Sequence, residues 1–341
     1  MRFQTVLFFA SPIGLGHATR DIAIADRLQG DVLFVSGEGA FRLIEKKGYR
    51  VVDAYRPEKF VVQDGQLQHS FRWLMSYYSY YKKCKEVAKG IIAENEGLVV
   101  SDEDFASIAV AEEQRRKRVL ITDITETHFT KGAASLVEKK MNGAMKEMMK
   151  KCDRVIIPDV GDDHDNISYV GPIVREATAD RDTLRKRFNF SRKTIVVSVG
   201  GTDAGRYLVE RSLAAYRKLR DKLDADLVVV PGPSLQVQES PDYRNLGFVD
   251  NLYELIYAAD LVVSLAGRST MDESIAYGTP GIFIPIKGHF EQEEGAKRLG
   301  YTYDDVDRLE SLIEEKLGRR NDRTDASGAQ KAAKIISALS K

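Results

Sequence analysis

Residues 246–296 read LGFVDNLYELIYAADLVVSLAGRSTMDESIAYGTPGIFIPIKGHFEQEEGA, and this stretch decides the fold. A short helix is followed by an apolar strand, Leu261 to Ser264, and a turn through Leu265-Ala266-Gly267-Arg268. A helix from Ser269, a second apolar strand from Gly281 to Pro285 and a polar loop complete it. The turn brings glycine, hydroxyls and a helix N-terminus to one strand end. Unpaired backbone N–H groups and the helix dipole both favour phosphate oxygens there, so the stretch predicts an anion pocket that suits a nucleotide diphosphate. Glu273 lies one helical turn beyond Ser269, from where its carboxylate can accept hydrogen bonds from ribose hydroxyls.

Outward from this stretch the same rhythm continues. Thr194 to Val199 reads as a strand, Gly200-Gly201-Thr202-Asp203-Ala204-Gly205 as a turn, the segment to Leu219 as a helix, and Asp226 to Val230 as a strand. An earlier series begins with Val6 to Ala10, the turn Ser11 to His17 and a helical segment Ala18 to Leu28. Apolar runs follow at 32–35, 50–54, 98–101, 119–122 and 154–158. Strands alternating with helices predict parallel sheets covered on both faces, the doubly wound arrangement. Between the two series, residues 159–175 (DVGDDHDNISYVGPIVR) break the rhythm with acidic residues, glycines and a proline. The expected organisation is a domain at 1–158, a linker at 159–175, a second domain at 176–324 and a terminal helix at 325–341.

A length of 341 residues fits two domains of ordinary size. Lys plus Arg and Asp plus Glu number 51 each, so net charge gives no argument for a nucleic-acid partner. Cys84 and Cys152 lack a CxxC spacing or a histidine cluster and read as idle thiols of a reducing compartment. The N-terminal apolar run is short and leads directly into a glycine turn, which predicts a first strand rather than a signal peptide. No apolar run approaches the ~20 residues that cross a bilayer, so a soluble or peripheral protein is expected. Asp162-Asp163-His164-Asp165 resembles a metal-ligand cluster but sits in the linker, where solvated side chains are the simpler reading; no metal is expected.

Several elements of the opening stretch recur in known enzymes in the same order: Phe248-Val249-Asp250 before a helix, Ala259-Asp260 before a strand, Ala266-Gly267, Glu273, Gly278-x-Pro280 and Glu291-Gln292. The segment resembles the nucleotide-sugar signature of GT-B glycosyltransferases. It is similar to the lipid II-forming N-acetylglucosaminyltransferases and the UDP-glucuronosyltransferase-like families. The resemblance implies a GT-B fold, an α/β architecture of two Rossmann-like doubly wound domains facing a cleft. It also implies a UDP-sugar as co-substrate, no cofactor, and no divalent ion at the leaving phosphate. By the same resemblance Phe248 and Val249 hold the base, Glu273 the ribose, and Glu291-Gln292 the sugar hydroxyls. Glu-Gln here replaces the two glutamines of the peptidoglycan relative, which leaves the sugar open.

The turn Gly14-Leu15-Gly16-His17-Ala18-Thr19-Arg20 is neither a Walker A motif nor GxGxxG. A lone histidine beginning a helix is more often a cap or a core residue. The related enzymes carry Gly-His in this first turn, which implies that His17 is the general base and that Gly16 clears room for the donor. Asp102, beside the strand 98–101, is the expected orienter of His17, with Asp123 as competitor and an ordinary helix cap as the alternative for each. Gly200, Gly201 and Thr202 are expected near the donor diphosphate. Gly267, Arg268, Ser269 and Thr270 are expected to receive the leaving phosphate, with simple capping by Ser269 as the alternative.

Residues 71–85 (FRWLMSYYSYYKKCK) crowd Trp73, Tyr77, Tyr78, Tyr80 and Tyr81 beside lysines, either as core packing or as a surface for a lipid acceptor. Taken together, these readings predict inverting, metal-independent transfer from a UDP-sugar to an acceptor hydroxyl, with lipid and glycolipid acceptors and peripheral membrane contact both allowed. A cytoplasmic location, extending to the inner membrane face, goes with them. A UDP-sugar hydrolase of the same fold and a non-catalytic nucleotide-sugar sensor are the competing readings.

Overall fold

The computed structural model describes residues 4–58, 60–68, 70–130, 135–201 and 203–341, with the side chains of 70, 71, 73 and 74 outside the description. The chain forms two compact units: Met1–Lys59, His69–Val174 and Ala326–Lys341 make the first, Phe60–Gln68 and Arg175–Asp325 the second. In chain order the strands begin with β1 (Val6–Ala10), β2 (Val32–Ser36), β3 (Arg50–Asp53), β4 (Val61–Gln63) and β5 (Gln66–Gln68). They continue with β6 (Leu98–Asp102), β7 (Arg118–Ile121), β8 (Arg154–Ile157) and β9 (Ile167–Tyr169). The last are β10 (Lys193–Ser198), β11 (Ala225–Val230), β12 (Arg244–Asn245), β13 (Leu261–Leu265) and β14 (Gly281–Ile284).

The first unit holds a seven-stranded sheet ordered β3-β2-β1-β6-β7-β8-β9, and every pairing in it is parallel. Its central strands VLFFA, VLFVS and LVVSD are buried at every position, because helices cover both faces and leave no polar alternation. The strand order reverses between β1 and β6. In such a sheet the crevice beyond the carboxyl ends at the reversal is where ligands bind. The register places Ala10 beside Asp102, and the Ser11 N–H donates to the Asp102 carbonyl at 3.1 Å.

The second unit repeats the plan with five parallel strands ordered β12-β11-β10-β13-β14, reversing between β10 and β13. The loop after β10 carries Gly200-Gly201 and the loop after β13 carries Gly267-Arg268, so both turns singled out in the sequence flank the second reversal. Backbone crowding there explains one glycine: a Cβ at Gly232 would lie 2.0 Å from the Gly200 carbonyl oxygen.

Two short segments fall differently from the sequence boundaries. β9 lies inside the stretch read as linker and adds a seventh strand to the first sheet. Three residues flanked by acidic loop are too few to declare a strand by pattern. The β4–β5 hairpin, read within residues 1–158, belongs to the second unit. Leu67 N–H donates to the Lys287 carbonyl, and Lys287 N–H donates to that of Gly65, each at 2.8 Å. The Tyr303 hydroxyl donates to the Asp64 carbonyl at 2.6 Å.

The helix Gly328–Leu339 is part of the first unit, where Ala329, Ala332, Ala333 and Ile336 join the core of Val6, Phe8 and Ile22. Among the described residues no helix is long and apolar enough to cross a membrane.

Candidate active site

At the first reversal the chain leaves β1 through Gly14, whose φ of +80° suits glycine, and enters the helix Gly16–Ala25. His17 and Arg20 are one turn apart on that helix, and both reach Asp102, the last residue of β6. His17 Nδ1 lies 3.1 Å from Asp102 Oδ1. Arg20 Nε donates to Asp102 Oδ2 at 2.5 Å, and Arg20 Nη2 donates to Oδ1. The two-pronged guanidinium contact, in a place where Arg20 is 5% and Asp102 0% exposed, holds Asp102 well below the usual carboxylate range despite its burial.

Arg20 Nη2 also approaches His17 Nδ1 at 3.2 Å. Both cannot donate into one another. An ionised Asp102 accepts from both, which puts a proton on Nδ1 and leaves Nε2 outward. Nε2 stands 3.6 Å from Glu103 Oε2, so the imidazole lies between two carboxyl groups.

Glu103 adopts φ +56°, a left-handed backbone rare for a non-glycine residue. Its Oε1 accepts from the Thr122 hydroxyl at 3.2 Å and the Asp123 N–H at 3.3 Å. Asp123, the competing orienter, lies 3.4 Å from Arg20 Nη1, whereas Asp102 contacts His17 directly. Glu103 was not singled out by sequence reasoning. Its only signal was a run of three acidic residues at a strand end, a pattern that helix caps share; Asp104 next to it is such a cap, accepting from Ala106 N–H.

In the second unit the helix Arg268–Ala276 starts one residue earlier than the sequence suggested. Its N-cap is Gly267 without a side-chain cap, so Ser269 is not the capping residue. Ser269 and Thr270 lie in the first turn, half-buried. Arg268 Nε donates to Asp272 Oδ2 at 2.8 Å, which partly offsets the expected free cation. Gly200 has φ +80°, and Gly201 follows it, its carbonyl accepting from the Ser234 hydroxyl at 2.9 Å. Thr202 lies outside the described residues.

Glu273 is 3% exposed, and burial raises its pKa against the pull of Arg175. Arg175 reaches Glu273 Oε1 with Nε at 3.1 Å and Nη2 at 3.0 Å, donates through Nη1 to the Asp250 carbonyl at 3.0 Å, and lies 4.2 Å over the Tyr253 ring. Arg175 was missed in the sequence, being 98 residues from its partner and at the end of a loop. Phe248 is 38% exposed at the segment Phe248-Val249-Asp250, while Val249 packs toward the core. In the helix Phe290–Arg298, Gln292 Oε1 accepts from the Ile286 N–H at 3.0 Å, and Glu291 is adjacent. His289 occupies the N-cap position of that helix without a side-chain cap, its ring centroid 5.3 Å from that of Phe60 at a tilt of 59°; burial lowers its pKa to about 4, which keeps it neutral.

Among the described residues no group of three or more His, Cys, Asp or Glu side chains is disposed to hold a metal ion. The linker residues 162–165 are exposed. In the stretch 71–85, Tyr80 and Tyr81 pack on the core while Tyr78 is exposed beneath Lys82 Nζ, 4.5 Å from its ring; the Trp73 side chain is outside the description.

Residues 194–336 match the family model described as the glycosyltransferase family 28 C-terminal domain. An uncharacterised glycosyltransferase of Methanopyrus kandleri is 27% identical over 267 residues, covering 70% of this chain and 74% of that one. The UDP-N-acetylglucosamine–N-acetylmuramyl-(pentapeptide) pyrophosphoryl-undecaprenol N-acetylglucosamine transferase of Thermosipho africanus is 31% identical over 118 residues, 34% of each chain. The crystal structure of the kitacinnamycin glycotransferase superposes with a TM-score of 0.63 at 15% identity, covering 100% of this chain and 96% of that one. At that identity the likeness is one of fold, and the fold is GT-B.

Proposed function

We propose, for a chain that is a GT-B glycosyltransferase with a family 28 C-terminal domain, inverting and metal-independent transfer of a sugar from a UDP-sugar to an acceptor hydroxyl. The observation that carries this reading is the His17–Asp102 contact of 3.1 Å at the first reversal. With Nδ1–H held by Asp102, His17 Nε2 takes the proton of the acceptor hydroxyl as its oxygen attacks the anomeric carbon. The bond from that carbon to the β-phosphate oxygen breaks on the opposite face, and its electron pair leaves with UDP. One displacement gives one inversion. Asp102 stabilises the imidazolium as it forms.

The leaving charge is assigned to the backbone N–H groups and hydroxyls of the second reversal: Gly200, Gly201, Thr202, Gly267, Ser269 and Thr270, with Arg268 beside them and Gly16 clearing room in the first turn. Glu273 serves the ribose, Phe248 and Val249 the base, and Glu291 and Gln292 the sugar. Support for UDP as carrier comes from the Thermosipho relative, whose name specifies UDP-N-acetylglucosamine. That name also specifies a lipid-linked acceptor. The exposed Met75 and Tyr78, with Lys82 over the Tyr78 ring, favour a lipid or glycolipid acceptor met at the inner face of a membrane from the cytoplasm.

The test is a panel of UDP-sugars with and without lipid extract, with UDP and sugar products followed and a chelator added in parallel. UDP release that requires extract and survives the chelator is the expected result. Free sugar without extract replaces transfer with hydrolysis, and binding without turnover in either condition replaces both with a sensor.

A further inference from the structure

Asp21 lies on the same helix as His17 and Arg20, and its carboxyl group is 0% exposed. Neither of its oxygens meets an N–H or O–H donor. The charged groups that act on it are the Asp102 and Glu103 carboxyls and the Arg20 guanidinium. Around Arg20 are thus gathered Asp21, Asp102, Glu103 and Asp123, with His17 the second basic group. One guanidinium does not balance four carboxylates, two of them, Asp21 and Asp102, fully buried.

The distribution of donors says which carboxyl yields. Asp102 accepts from His17 and twice from Arg20, and Glu103 accepts from Thr122 and Asp123 N–H. Neither Asp21 oxygen accepts from a donor, and two carboxyls form a hydrogen bond only when one carries a proton. The two Asp102 oxygens offer about four lone-pair sites, three of which are occupied, so one is left for such a bond.

We infer that Asp21 is an un-ionised carboxylic acid that donates a hydrogen bond to Asp102, making it a positioning residue behind the His17–Asp102 pair. Its catalytic meaning rests on the reading of His17 as base; its proton does not. Burial and the neighbouring Asp102 charge both act in this direction, raising the Asp21 pKa well above the ordinary value. The arrangement fixes the Asp102 carboxylate from a third side and keeps one negative charge, not two, behind the imidazole.

Two measurements on the full chain, without substrate, test it. Infrared spectra at neutral pH should contain a C=O stretch of an un-ionised carboxylic acid that is lost in Asp21→Asn. If the substitution instead removes carboxylate bands and no acid band, the proposal falls. Proton NMR should locate the low-field Nδ1–H of His17, assigned by its loss in His17→Ala. That resonance should shift or disappear in Asp21→Leu, which removes the donor, and stay near its original position in Asp21→Asn, whose amide N–H replaces it. An unchanged resonance in Asp21→Leu would overturn the positioning role. If Asp21→Leu does not fold, the infrared comparison and Asp21→Asn still decide, because a resonance displaced in the asparagine variant contradicts the proposed bond. Absence of any low-field signal in the native protein would remove the His17–Asp102 pairing while leaving the Asp21 proton to the infrared result.

Discussion

The two sheet reversals are built alike and furnished differently. At the first, five ionisable side chains besides Arg20 crowd the ends of β1, β6 and β7, and each carboxyl contact is fixed by a neighbour on a rigid element. At the second, the strand ends present glycines, hydroxyls and a helix start, and the charged groups there are paired among themselves, Arg268 with Asp272 and Glu273 with Arg175. On the function proposed above, the difference separates two tasks. Moving a proton needs charge placed in advance within the protein, whereas holding a diphosphate needs neutral donors that the ligand's own charge completes.

The sharpest way to break this contrast is at His17. His17→Ala should lower kcat by about 10²- to 10⁴-fold, the range for a positioned general base, while UDP affinity measured by calorimetry stays within about twofold. Asp102→Asn should give a comparable loss, because an amide in place of the carboxylate favours the wrong tautomer and leaves Arg20 without its partner. A near-native rate in either variant would transfer the chemistry elsewhere.

The next effect is on stability. Asp21 has its folded pKa raised, so the folded state binds a proton that the unfolded chain releases once pH exceeds its ordinary carboxylate value. Its contribution is therefore complete below that value and declines as pH rises toward the folded pKa. Asp102 has the opposite sign: its contribution is present above the unfolded value and lost as pH falls. Between about pH 5 and 8 only Asp21 of this pair supplies a slope, at most about 1.4 kcal/mol per pH unit for one proton. Denaturant melts of the native protein and Asp21→Asn over this range should diverge, with the asparagine variant gaining relative stability as pH rises. Parallel curves would count against the protonated acid.

Much of this contrast was legible in the sequence, and its legible part has a pattern. Strand ends marked by glycine and followed by helical periodicity were readable because backbone geometry demands those residues locally. Hence Gly14-Leu15-Gly16-His17, Gly200-Gly201 and Gly267 were found, and Asp102 was found from its position at the end of an apolar run. What stayed hidden was pairing between distant segments. Arg175 reaches Glu273, Glu103 reaches His17 Nε2, and Lys287 receives the β4–β5 hairpin through contacts that leave no periodic trace. Asp21 was hidden for another reason: a charged residue in a helical segment reads as solvent-facing, whereas every residue from Ala18 to Ala25 is buried.

At the second reversal the expected losses are smaller. Glu273→Gln keeps a hydrogen-bond acceptor for Arg175 but removes the carboxylate proposed to hold the ribose, and should raise the Kd for UDP by about tenfold, corresponding to ~1.4 kcal/mol. Glu273→Ala would confound the measurement, because it leaves a buried guanidinium unpaired at a stability cost of about 3–5 kcal/mol.

Thr270→Ala tests the smallest increment. Its hydroxyl is one donor among several at the start of the helix Arg268–Ala276, and the backbone N–H groups of that turn survive the substitution. A neutral hydrogen bond contributes about 0.5–1.5 kcal/mol net, so UDP binding should weaken only about two- to tenfold. If the hydroxyl acts mainly on the leaving phosphate, kcat should fall more than UDP affinity, since a donor aimed at developing charge matters most in the transition state. A loss as large as that of His17→Ala would mean that the second reversal depends on one side chain as the first does. An effect confined to the second unit's thermal stability would reduce Thr270 to a helix-start residue and leave the diphosphate to the backbone alone.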